Sequence, residues 1–215
     1  MRTEHIEYDR TIYRLDELSS EAREKAHAEY LRSGASSDWF DGDGVRDVIK
    51  KVEDFFDCRI YGWRVDSYRP EYPSVDFRNE DRLDLKGERA RAWFWNNYGN
   101  VLFPLHRQGE GKYNEKTRRV EYKRTSRIFH DKATDGLCIF TGICWDNDAL
   151  DAVSDFMLGK TGRDATTTVE SVIRDSIHGL FRALNKEAEY RDSFEAFSEA
   201  SEANNWEYLE DGTMA

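Results

Sequence analysis

Apolar positions along this chain recur with two periods, one of helices and one of strands. The N-terminal "EHIEYD" alternates apolar and polar through Ile6 and Tyr8, as a half-buried strand does. Leu18, Ala22, Ala26 and Tyr30 then follow at four-residue intervals, with Ser19 placed to cap a helix and Gly34 to end it. Glu21 and Lys25 in that helix make an i,i+4 pair, worth about 0.2–0.5 kcal/mol. Asp43 or Gly44 opens a second helix whose Val45, Val48, Ile49, Val52, Phe55 and Phe56 keep the 3,4 spacing. "RIYGWRVDSY" and "YPSVDF" predict two strands joined through Pro70 and Pro73. "GERARAWFWNNYGN" predicts a short helix ending at Gly99.

The second half continues the alternation. "GEGKYNEKTRRVEYKR" predicts a hairpin with Asn114 near its tip, and "DGLCIFTGICW" a strand followed by a capping cluster at Asp146, Asn147 and Asp148. Thr167 and Glu170 form a capping box ahead of Val169, Val172, Ile173, Ile177, Leu180, Phe181 and Leu184, the longest amphipathic series in the chain. A last helix near residues 193–203 leads to "NNWEYLEDG", read as a final strand. The pattern predicts a single α+β domain over residues 1–215. In it, amphipathic helices pack on a small, mostly antiparallel sheet, with a basic β-hairpin inserted at 107–130.

Composition agrees with a folded chain. Charged residues make up 35% of the 215, yet 29 are aromatic, far more than a disordered segment carries. Cys58, Cys138 and Cys144 are odd in number and irregularly spaced, which argues against a disulfide framework and for a reducing cytoplasm. No run of apolar residues approaches the ~20 of a membrane span, so no membrane partner is expected. The net charge of -11 disfavours general nucleic-acid binding, but that charge is distributed unevenly. Residues 107–127 hold eight Lys/Arg against three Glu, whereas residues 187–211 hold nine Asp/Glu against Arg191 alone.

Those two stretches supply the candidate binding residues. In the basic one, Arg107, Lys112, Lys116, Arg118, Arg119, Lys123, Arg124 and Arg127 are interleaved with Tyr113 and Tyr122. Aromatic rings can stack on bases while cations meet phosphate, and the same cations can meet an acidic protein or serve only to protect a strand edge. In the acidic one, Glu187, Glu189, Asp192, Glu195, Glu199 and Glu202 can present anions that compete for a nucleic-acid site, or simply wet the faces of helices. Contact between the two stretches in different copies would make a homo-oligomer.

Other constellations fail their chemical tests. "DWFDGDG" (38–44) has alternate carboxylates, but a calcium loop begun at Asp41 puts Val45, Arg46 and Val52 where oxygen ligands and the turn glycine belong. Cys138 and Cys144, with His130 and His106, lack the close ligand pairs of a zinc site. "GKTGRD" (159–164) lacks the upstream glycine and strand of a phosphate loop and is read as a helix-ending turn, and His178 borders an apolar stripe. No nucleophile elbow or dinucleotide fingerprint is present. The chain therefore implies no cofactor, no metal and no catalytic residue.

Three segments carry a family resemblance: "IYRLDELSSEAREKA" (12–26), "CIFTGICWDNDALDAVSDFM" (138–157) and "SFEAFSEASEANNWEYLEDGT" (193–213). Together they resemble a widespread family of small phage and prophage proteins often loosely labelled antitoxins. Where many members have Ser-Gly-Phe followed by Gln-Gly-Asp-Gly, this chain has "YPSVDF", with "DGDG" upstream at 41–44. The resemblance implies a mobile-element origin and a protein that binds and inhibits a host macromolecule. A nucleic-acid-handling defence system such as a CRISPR effector would be its target, in the bacterial cytoplasm. An antitoxin that neutralises a partner toxin is the alternative, and a small hydrolase or nuclease with dispersed catalytic groups is the third reading.

Overall fold

Ser19 caps the first helix, α1 (Ser20–Arg32), by accepting a hydrogen bond from the Ala22 N–H at 3.2 Å. Leu18, Ala22 and Ala26 are buried, and the chain leaves the helix through Gly34 at φ 77°. The computed structural model describes residues 10–35, 43–103, 105–108, 112–121, 124–127, 145–160 and 165–215. The expected N-terminal strand, most of "DWFDGDG" and the 135–144 run lie outside these residues.

After α1 come α2 (Asp43–Phe56), β1 (Cys58–Tyr61), β2 (Ser74–Phe77) and α3 (Gly87–Leu102). The basic region forms β3 (Leu105–Gln108), β4 (Lys112–Asn114), β5 (Arg119–Glu121) and β6 (Arg124–Arg127). Then follow α4 (Trp145–Met157), α5 (Val169–Arg191) and α6 (Phe194–Ala203), with a 3-10 turn at Leu15–Glu17 preceding α1. The class is α+β, as the periodicity predicts. Among the described residues the strands form three separate antiparallel pairs, β1–β2, β3–β6 and β4–β5, in place of one sheet.

Five local expectations need correction. The α3 helix runs past Gly99 to Leu102, because Leu102 and Phe103 bury completely and that burial outweighs the ~1 kcal/mol cost of an interior glycine. In α4, the buried Trp145 is already helical, so Asp146, Asn147 and Asp148 occupy the first turn rather than preceding it. The α5 box is made one residue later than expected: Thr168 Oγ1 accepts from Ser171 N and Ser171 Oγ accepts from Thr168 N, both at 3.0 Å. Glu170 instead holds Arg174 Nε at 2.8 Å. The C-terminal segment forms no strand but isolated bridges, Tyr208 pairing with Tyr13 and Met214. Lys25 turns away from Glu21 to bind Asp211 at 2.6 Å and Thr213 at 3.0 Å.

The chain groups into two compact units. One comprises Met1–Val45, Val65–Pro70 and Asn185–Ala215, the other Arg46–Arg64 and Glu71–Leu184. In the first, Leu15, Leu18, Ala22, Ala26, Phe197 and Tyr208 form the core, with Tyr13, Tyr30 and Trp206 packed against it. Tyr208 joins the terminal segments: its backbone exchanges two 2.9 Å hydrogen bonds with Tyr13, and its hydroxyl meets buried Ser201 Oγ at 2.8 Å. Gly212, at φ 84°, lies so close to α1 that a Cβ there would stand 2.0 Å from the Ala22 carbonyl oxygen.

In the second unit, buried Val169, Val172, Ile173, Ile177, Leu180 and Phe181 line one stripe of α5. Gly179 lets α5 approach α4, where a Cβ would meet the Asp148 carbonyl at 2.3 Å. The α3 and α4 helices meet through Phe94 and Phe156, with ring centroids 5.7 Å apart. Arg91 Nε and Trp95 Nε1 also donate to the carbonyls of Phe156 and Met157, each at 3.1 Å.

Candidate functional site

The basic segment folds as two nested ladders. The outer pairs Leu105 with Arg127 and Gln108 with Arg124, and the inner pairs Lys112 with Glu121, Tyr113 with Val120 and Asn114 with Arg119. Asn114 opens the turn rather than crowning it: its Oδ1 accepts from Lys116 N at 2.9 Å and from Thr117 N at 3.4 Å. Arg118 closes the turn in the left-handed region at φ 50°. The local sequence thus sets the tip through an Asx turn carried on the three-pair β4–β5 ladder.

That tip is exposed on all sides. Lys112, Tyr113, Lys116, Arg118 and Arg119 are exposed, and no ion pair engages these four cations among the described residues. Tyr113 (62% exposed) and Val120 (51%) stand directly across the ladder and form an apolar pair among the charges. Arg107, Arg124 and Arg127 take ladder positions in β3 and β6, while Tyr122 and Lys123 lie outside the described residues.

The acidic segment has a different environment. Glu187 holds Arg191 Nε at 2.8 Å, and Glu199 accepts from the Tyr190 hydroxyl at 2.7 Å, which raises that phenol's pKa. The Asp192 carboxylate accepts from Ser67 Oγ, and the Asp192 carbonyl accepts from His27 Nε2 at 2.9 Å. Glu189, Glu195 and Glu202 remain exposed at the surface. Glu202 also borders a cleft of about 190 Å³ with Arg14, Asp16 and Trp206. Three of the six carboxylates are therefore engaged by internal partners, and one of them, Glu199, ties α6 to α5 through Tyr190.

The remaining candidates have quieter environments. Cys58 is fully buried, and burial, reinforced by the Glu53 charge, pushes its thiol up to about 12, so it stays protonated and unreactive at neutral pH. His178 is half-buried with its ring 5.8 Å from that of Tyr72. Cys138, Cys144 and His130 lie outside the described residues; among those described, no group of three potential metal ligands converges. No described helix is long and apolar enough to cross a membrane.

Sequence reasoning misses one feature, a cleft of about 430 Å³ walled by Phe56, Phe77, Trp93 and Tyr98 and rimmed by Asp57, Asp81 and Arg82. Its residues come from four segments and share no periodicity. The only local signal is an aromatic cluster in "AWFWNNY", which serves equally well as core. No family model, curated protein or solved structure matches this chain.

Proposed function

We propose that this chain is a non-enzymatic, phage- or prophage-encoded binding protein that inhibits a host nucleic-acid-handling effector in the bacterial cytoplasm. A defence nuclease of the CRISPR type is the target class, and the basic hairpin is the contact surface. The observation that carries this reading is the pre-formed hairpin tip, where four cations with no ion pair among the described residues flank the exposed Tyr113–Val120 pair. A loop already ordered by its turn and ladder loses less conformational entropy on binding, and cations with no ion pair among the described residues need not give one up first. The aromatic residue supplies the desolvated anchor that such interfaces use.

The test is affinity capture from nuclease-treated host lysate, followed by reconstitution of the captured effector's activity. The reading expects one stoichiometric protein partner whose activity falls when this chain is added. It also expects inhibition to be lost when Arg118, Arg119 and Arg124 are all changed to Glu. Inhibition that survives this reversal would remove the hairpin from the mechanism.

A further inference from the structure

The cleft of about 190 Å³ in the first unit is a second site, separate from the hairpin and independent of its reading. We propose that it binds a free α-amino acid in its zwitterionic form. Leu15 and Ser201 line it from the buried side, and Trp206 supplies an aromatic wall. Arg14, Asp16 and Glu202 bring exposed charges of both signs to the same cleft. Its volume lies below the roughly 300–1,000 Å³ of pockets for drug-sized ligands, which suits a smaller molecule.

These charges are not spent on one another. None of Arg14, Asp16 and Glu202 forms an ion pair among the described residues, although all three border one small cleft. Glu202 also stands in the last turn of α6, which holds no basic residue. The negative end of the helix dipole disfavours a carboxylate there and favours a cation. An ammonium group placed beside Glu202 and Asp16 answers both, and the Arg14 guanidinium takes the α-carboxylate through charge-assisted hydrogen bonds.

The uncharged lining is formed in advance. Asn205 turns the chain out of α6 at φ 52°, and the Trp206 N–H donates back to the Ser201 carbonyl at 2.9 Å. The indole packs on Tyr30 and Phe197, with ring centroids 5.9 and 6.3 Å away. The Ser201 hydroxyl meets that of Tyr208 at 2.8 Å and keeps the capacity for a further hydrogen bond.

Ligand-observed NMR on the full chain tests this with glycine, L-alanine, L-valine and L-leucine, each titrated singly. Saturable binding of at least one is expected. For that amino acid, the amide, which keeps the ammonium, and the analogue without the amino group should each bind about three- to tenfold more weakly. Arg14→Gln should weaken the amino acid by a similar factor and leave its amide unchanged, whereas Glu202→Gln should weaken both. A purely structural role would move every ligand alike. Both positions are exposed, so the two variants should unfold at the parent's temperature. Reversal of Arg118 and Arg119 should leave binding unchanged, which separates this site from the hairpin. No saturable binding of any of the four, an amide or deaminated analogue that binds as tightly as the amino acid, or an Arg14→Gln variant that weakens the amide equally would overturn the proposal.

Discussion

The hairpin tip and the α5–α6 corner carry comparable densities of opposite charge, yet the folded chain treats them differently. At the corner, Glu187, Asp192 and Glu199 are engaged by Arg191, Ser67 and Tyr190, beside a core that holds Phe197. At the tip, Lys112, Lys116, Arg118 and Arg119 extend into solvent from a ladder whose only apolar pair is itself exposed. Charge density is alike in the two regions; what differs is whether the charges have internal partners among the described residues, and a group that must release a partner gains less from a new one.

If that contrast is right, damage at the corner should cost stability and damage at the tip should not. The largest effect is expected for Phe197→Ala, which empties a fully buried site and should destabilise by about 3–5 kcal/mol in a denaturant titration. Gly212→Ala comes next, at about 2–4 kcal/mol, because the Cβ overlaps the Ala22 carbonyl at a φ that alanine resists. Arg118→Gly should leave stability unchanged or raise it by up to about 1 kcal/mol, since glycine relieves the left-handed turn, while partner affinity falls. Loss of folding in that variant would show the tip to be structural after all.

The smallest effect concerns acid. Hydrogen bonds from Lys25, then from the Thr213 backbone and side chain, hold the Asp211 carboxyl down to about 2 from 3.8. A depressed folded-state value stabilises the fold above the unfolded pKa, and the gain is lost as pH falls from about 4 through about 2. Asp211 is exposed, so salt should shrink this contribution further. An acid titration of Asp211→Asn beside the parent chain should show the parent losing its small advantage across that window.

Much of the helical framework is legible in sequence because buried positions repeat at short intervals. The Leu18, Ala22, Ala26 series and the α5 stripe both bury as their spacing requires, and Asn114 marks the turn it was expected to mark. Boundaries are less legible, since tertiary burial decides them. Leu102 carries α3 past a glycine, and Trp145 draws the end of an apolar run into α4. The Thr167 box fails for a local reason, a serine at 171 that returns the Thr168 hydrogen bond while Glu170 turns to Arg174. Lys25 illustrates the long-range limit, because its partner Asp211 is 186 residues away in sequence. The aromatic cleft is illegible for that same reason, its walls being assembled from segments with no common repeat.

The most direct test of the central claim is the affinity of the captured partner for the parent chain and for the Arg118→Glu, Arg119→Glu, Arg124→Glu variant, measured across a salt series alongside thermal unfolding. The account predicts that affinity for the parent weakens steeply with salt, that the variant binds far more weakly at low salt, and that both unfold at the same temperature. Equal affinities, or a variant that binds poorly only because it has unfolded, would contradict the assignment of the hairpin as the binding surface.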